Sequence, residues 1–166
     1  MLKNKNKKFS NSPFWLNKIT KETKQGKNDF QGNEEWEYWH SISEYKCYLH
    51  LHQLKQEHGF SIHRQQKIDI LPKDEHFNKL SWNVDFLLKF SSQVIIPVEC
   101  KGEWLLHDAG HMKSFILLMR MLSIHQPMVF QQLIIVGSSS WVIPNSRLQV
   151  YDYKDFSSCL LTKRLR

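Results

Sequence analysis

The chain has 166 residues, 41% hydrophobic and 23% charged, a globular balance with enough length for one domain and its core. It has no apolar run near the roughly 18 residues of a membrane span; the best stretch, Phe115 to Met119, is closed by Arg120. The net charge of +7 is uneven: residues 1–33 hold eight lysines against Glu22 and Asp29, which gives +6 there and leaves the remainder almost neutral.

In chain order, residues 1–12 are Lys, Asn and Ser with few apolar side chains, so they are expected to be disordered without a partner. Phe14, Trp15, Leu16 and Ile19 suggest a short docking helix or hook, and Gln25 to Asn33, with Gly26 and Gly32, a linker. Domain organisation follows: a basic, partly disordered arm over 1–35 and a folded domain over 36–166. The three- and four-residue steps among Ile42, Tyr45, Tyr48, Leu49, Leu51 and Leu54 predict a helix over about 36–57, with Ser41 or Ser43 as cap and Gly59 just past its end. Strict alternation predicts a strand over 61–71, stopped by Pro72, and a second over 80–90 with Trp82, Val84, Phe86, Leu88 and Phe90 on one face. Ser91-Ser92 makes a turn into a third strand, Val94 to Lys101, whose near-continuous apolar run implies burial on both faces.

Asp108 is positioned to cap a helix to about Ile124, with Met112, Phe115, Ile116, Met119 and Leu122 inward and Pro127 ending it. A strand from Gln131 to Val136, a weaker one over 148–153 and a helix from Asp155 to Leu165 complete the chain. Cys47, Cys100 and Cys159 are far apart and include no Cys-x-x-Cys, which fits a reducing compartment and no disulfide framework. With no apolar stretch behind the N-terminal lysines, the expected location is cytoplasmic.

The chemistry concentrates in Asp85 and the run Glu99-Cys100-Lys101. Glu99 and Lys101 are two apart on one strand and share a face. Asp85 lies on the preceding strand, on the face opposite its large apolar set, so a meander brings it toward Glu99. Charges inside an apolar sheet are costly without partners. Oxygen ligands favour magnesium or manganese over zinc. A cation held by Asp85, Glu99 and the Cys100 carbonyl, with Lys101 on water or phosphate, suits hydrolysis of a phosphate ester. The alternative is a structural salt bridge on the sheet.

Val84-Asp85-Phe86 followed by Val98-Glu99-Cys100-Lys101 resembles the active-site signature of the PD-(D/E)XK nuclease superfamily, here as Asp-x13-Glu-x-Lys with Val84 in place of the proline. The resemblance covers about residues 40–137. It implies an α/β fold with a restriction-endonuclease-like αβββαβ core, a central mixed sheet flanked by helices, and a magnesium- or manganese-dependent DNA endonuclease. Similar patterns occur in phage nucleases, junction resolvases and transposon end-cleaving nucleases. They imply a supporting carboxylate at Glu44 on the first helix and a glutamine on the first strand, for which Gln66 is preferred to Gln65 because it shares the face of Ile68 and Ile70. For Glu44 the alternative is a solvated helix face, and for Gln66 a hydrogen bond to a neighbouring strand or loop.

Lys3, Lys5, Lys7 and Lys8 are the expected DNA-backbone contacts. Lys113, and His107 or His111, sit where a phosphate is reachable; solvent exposure is the alternative for each. His107 and His111 are four apart, but no His-Glu-x-x-His pattern or cysteine pair supports zinc. The expected partners are DNA and either a second copy or a larger DNA-processing complex, since one site cuts one strand at a time. A non-catalytic nucleic-acid-binding or assembly protein that keeps the nuclease fold is the competing expectation.

Overall fold

In the computed structural model the described residues are 12–26, 34–90 and 94–164. Lys3, Lys5, Lys7 and Lys8, the expected disorder before Ser12, most of the linker, the Ser91-Ser92 turn and the end at Leu165 lie outside them. The chain divides into two compact units, residues 1–46 and 47–166. The division falls inside a helix, later in the chain than the 35/36 boundary expected from composition.

The first unit holds an antiparallel three-stranded sheet of β1 (Phe14–Asn17), β2 (Thr23–Gln25) and β3 (Trp36–Trp39), with β1 central. Two expectations are corrected here. The hook is a strand with Ile19 in the turn after it, and Trp36 to Trp39 is a strand rather than the start of a helix. The physical reason is packing. Phe14, Leu16 and Trp39 are buried, and the Asn17 carboxamide oxygen accepts from the Ile19 and Thr20 amides, turning the chain.

Helix α1 (Ile42–His58) opens on a variant of the capping box in which the glutamate reaches the residue before the cap. The Glu44 amide donates to Ser41 Oγ at 3.1 Å, and the Glu44 carboxylate accepts from the His40 amide at 3.1 Å. Gly59 ends the helix in the left-handed region (φ 67°), its amide donating to the Lys55 carbonyl. The buried stripe is Cys47, Leu51 and Leu54, whereas Ile42 and Leu49, expected inside, are exposed.

The second unit is a mixed α/β structure around a six-stranded sheet in the order β4-β5-β6-β7-β9-β8. Strands β4 (Phe60–Leu71), β5 (Leu80–Phe90) and β6 (Ile95–Cys100) form an antiparallel meander. Strand β7 (Ile134–Gly137) returns parallel to β6 after α2 (Ala109–His125) and α3 (Pro127–Gln132). Strand β9 (Gln149–Asp152) runs parallel to β7, and β8 (Trp141–Val142) closes the far edge antiparallel to β9. Helix α4 (Phe156–Arg164) follows. Pro127 both ends α2 and opens α3 as its first residue, so the expected strand at Gln131 begins only at Ile134.

Alternation sets the two faces of this sheet. On one side Met112, Phe115, Met119 and Leu122 of α2 share a core with Ile135, Val150 and Ile143. On the other, Tyr48 of α1 stacks on Phe86, and α4 packs near β7 with Phe156 and Leu160 buried. Strand β6, buried from Ile96 through Glu99, lies between these layers, as its apolar run predicts.

Candidate active site

The site grows out of the place where β5 and β6 part. Their ladder pairs Lys89 with Ile95 and runs down to Phe86 with Val98. One step further Asp85 comes opposite Glu99, but the strands do not pair there. Instead the Asp85 carboxylate takes the place of a ladder acceptor, with Oδ2 accepting from the Cys100 amide at 2.8 Å. On the other side β6 continues to pair with β7, and the Lys101 amide donates to the Val136 carbonyl at 2.8 Å. Lys101 thus leaves the carboxyl end of a central strand beside a parallel neighbour, where open α/β sheets form crevices.

Glu99 and Lys101 share the α2 side, since Glu99 pairs in register with core residue Ile135. Lys101 Nζ donates to Glu99 Oε1 at 2.5 Å and lies 4.9 Å from the centroid of the Phe115 ring. Glu99 is 5% exposed, and its second oxygen, Oε2, is buried without a hydrogen-bond partner. Burial, reinforced by the Asp85 charge, pushes the Glu99 carboxyl up to about 7, although Lys101 and, less strongly, the nearby Asp85 backbone amide pull the other way. Burial opposes the Lys101 ammonium, but Glu99 and Asp85 outweigh it and hold its pKa above the usual lysine value. The Cys100 thiol is also pushed up, by burial first and then by Cys47.

Asp85, Glu99, the Cys100 backbone and Lys101 are therefore brought together. The glutamine that meets them is Gln65, not Gln66. Its Nε2 donates to Asp85 Oδ1 at 3.2 Å, while Gln66 Nε2 donates to the Arg64 carbonyl at 2.9 Å. The register explains the correction. Arg64 pairs with Phe86 and Gln66 with Val84, so the residue opposite Asp85 is Gln65. Gln65 adopts φ 49°, a left-handed backbone that a non-glycine residue seldom holds inside a strand.

Two further residues shape the site without a signal in the motif. Gly137 ends β7 so close to Lys101 that a Cβ there would lie 2.6 Å from the Lys101 carbonyl oxygen. Ser139 Oγ bonds Glu103 Oε1 and ties the loop after β7 to the turn after Lys101.

The other expected residues have different surroundings. Glu44 is buried in the first unit, and its carboxylate serves the capping box, with His40 Nδ1 at 3.5 Å. Lys113 and His107 are exposed. His111 is held by Asp108, which caps α2 through the His111 amide and accepts from its Nδ1 at 2.8 Å. Among the described residues no group of three or more His, Cys, Asp or Glu converges as a metal site, and no helix is long and apolar enough to cross a membrane. No family model, curated protein or solved structure gives a significant match to the chain.

Proposed function

We propose that the chain is a magnesium- or manganese-dependent DNA endonuclease working with the active-site arrangement of the PD-(D/E)XK nucleases. The observation that carries this reading is the meeting of Asp85, Glu99 and Lys101 at the end of β6, where Lys101 takes Glu99 Oε1 and leaves the buried Oε2 without a hydrogen bond of normal geometry. Leaving such an oxygen unpaired is costly, and a hard cation offsets that cost. The order of α1, three antiparallel strands, α2 and a parallel strand supports an αβββαβ core.

Asp85, Glu99 and the Cys100 carbonyl are the groups that would hold the cation. When bound, it supplies Lewis acidity toward a phosphate oxygen and toward water. The chain's own residues do the rest. Gln65 fixes the Asp85 carboxylate through Oδ1, and the Cys100 amide fixes it through Oδ2. Lys101, seated on the Phe115 ring, presents its ammonium where charge develops on the phosphate. Water adds to phosphorus, the P–O bond to one nucleotide breaks, and the released oxygen leaves as a hydroxyl. Lys3, Lys5, Lys7 and Lys8 supply sequence-independent affinity for the backbone, and Lys113 is a further phosphate contact. One such centre nicks one strand, so a double-strand break requires a second copy or a partner nuclease. The thiols of Cys47, Cys100 and Cys159 are free, which suits a reducing cytoplasm.

The test is nicking of supercoiled plasmid with Mg2+ or Mn2+. Wild type is expected to nick and to stop when the metal is chelated, and Lys101→Ala to lose nicking while keeping its circular dichroism spectrum. Binding of DNA without cleavage in either metal would establish the non-catalytic alternative instead, and full activity of Lys101→Ala would remove the mechanism.

A further inference from the structure

We propose that two adjoining hollows, one between α2, α3 and the turn before β9 and the other between α3, β7, β9 and α4, bind single-stranded nucleic acid. The first hollow, of about 430 Å³, is lined by Ile116, Met119, Arg120, Phe130, Arg147 and Leu148 among others. A second, of about 380 Å³, shares Phe130, Arg147 and Leu148 with it and adds Tyr151 and Lys163. Both volumes fall in the range of about 300–1,000 Å³ over which clefts hold small ligands.

The linings carry Arg120, Arg147 and Lys163 and no acidic residue. Arg120 and Arg147 are exposed, and neither makes an ion pair among the described residues. The first hollow is almost wholly apolar; the second is nearly half polar, with Gln131, Gln132 and Gln149 in its lining and Lys163 donating to the Gln131 carbonyl, and Phe130 stands in the wall they share. An apolar seat under cationic side chains calls for a ligand with a flat ring and an adjacent anion, which a nucleobase and its phosphate supply. A duplex keeps its base faces stacked inside, so this chemistry selects single strands. An acidic amphipathic helix offers carboxylates too, but it needs a continuous groove for anchors at successive turns, whereas these are two short, adjoining depressions.

The placement serves the proposed nuclease, and the purpose of the site rests on that reading. Phe115 lies beneath Lys101, and Arg120 follows five residues later on the same helix, about 7.5 Å along its axis. Arg120 also stands about 140° round the helix from Phe115, so a single strand would have to pass over α2 to reach both the site and the first hollow.

The experiment measures anisotropy of three labelled probes of equal length, oligothymidylate, oligouridylate and a DNA duplex, bound to the full chain in a metal chelator. Arg120→Ala/Arg147→Ala is expected to weaken single-strand binding at least tenfold and to weaken duplex binding less than twofold. The slope of log affinity against log salt for single strands falls by about 1.4, from two lost phosphate contacts. Phe130→Leu, which keeps the apolar bulk, is expected to lose about fivefold on single strands. Loss with either single-stranded probe supports the site, and the larger loss names the preferred sugar. Equal loss on single strands and duplex, or no loss in the double variant, overturns the proposal; in the latter case, competition by an acidic peptide would reassign the hollow. The chelator keeps this outcome separate from cleavage. Failure to nick plasmid alongside intact single-strand discrimination would sink the nuclease reading alone.

Discussion

Two lysine–carboxylate pairs in the second unit carry the same chemistry and opposite consequences. Lys79 meets Asp69 at 3.0 Å with both side chains about half exposed, and Ser81 adds a hydrogen bond. Lys101 meets Glu99 at 2.5 Å with side-chain exposures of 19% and 6%. The exposed pair behaves as pairing predicts, and hydrogen bonds from Lys79 and Ser81 hold Asp69 below its ordinary value. In the buried pair the nearer lysine fails to do the same. Burial and the neighbouring Asp85 charge drive Glu99 upward. Pairing alone therefore says little about purpose. A sheet that keeps a second carboxylate beside a buried pair holds an arrangement that stability by itself does not favour.

Substitutions separate the two pairs, with the greatest consequences at the buried one. Lys101→Ala, or Asp85→Asn, is expected to reduce Mg2+-dependent plasmid nicking by about two to three orders of magnitude. Lys79→Ala should leave nicking unchanged; a comparable loss there would erase the distinction between the pairs. Next comes Gln65→Ala, which frees Asp85 Oδ1. It should raise the Mn2+ concentration needed for half-maximal nicking by about tenfold, with the rate at saturating metal largely restored. Gly137→Ala forces a Cβ onto the Lys101 carbonyl and should cost about 1–3 kcal/mol in urea unfolding, with nicking weakened as the end of β6 shifts. Ser41→Ala removes half of the capping box, at a cost of about 1 kcal/mol. At the bottom of the scale, Lys79→Ala should leave the thermal midpoint unmoved, since exposed pairs of this kind contribute little.

The parts of this fold written in local periodicity were legible in the sequence. Burial at alternate positions of β5, the apolar run of β6 and the inward stripe Met112, Phe115, Met119, Leu122 of α2 follow from side-chain spacing. So does the shared face of Glu99 and Lys101, because two residues make one strand repeat. Trp36-Glu37-Tyr38-Trp39 misleads because aromatic residues three apart suit a helix, whereas pairing with β1 makes the segment a strand. The Gln65 contact is hidden for a different reason. Counting alternation from Ile68 and Ile70 selects Gln66, but only the pairing with β5 reveals which residue faces Asp85, and no propensity announces a left-handed glutamine. Ser41-x-x-Glu44 is legible as a capping box, yet the acidic residue draws a functional expectation instead. Gly137 reads as a strand stop, and only the approach of the Lys101 carbonyl gives it a second task.

Anomalous scattering from Mn2+ soaked into crystals of the full chain reads the proposed cation site itself. One strong peak is expected within coordination distance of an Asp85 oxygen and of Glu99 Oε2, absent from crystals of Glu99→Gln. Crystals that diffract well in saturating Mn2+ and show no density between those two carboxylates would contradict it.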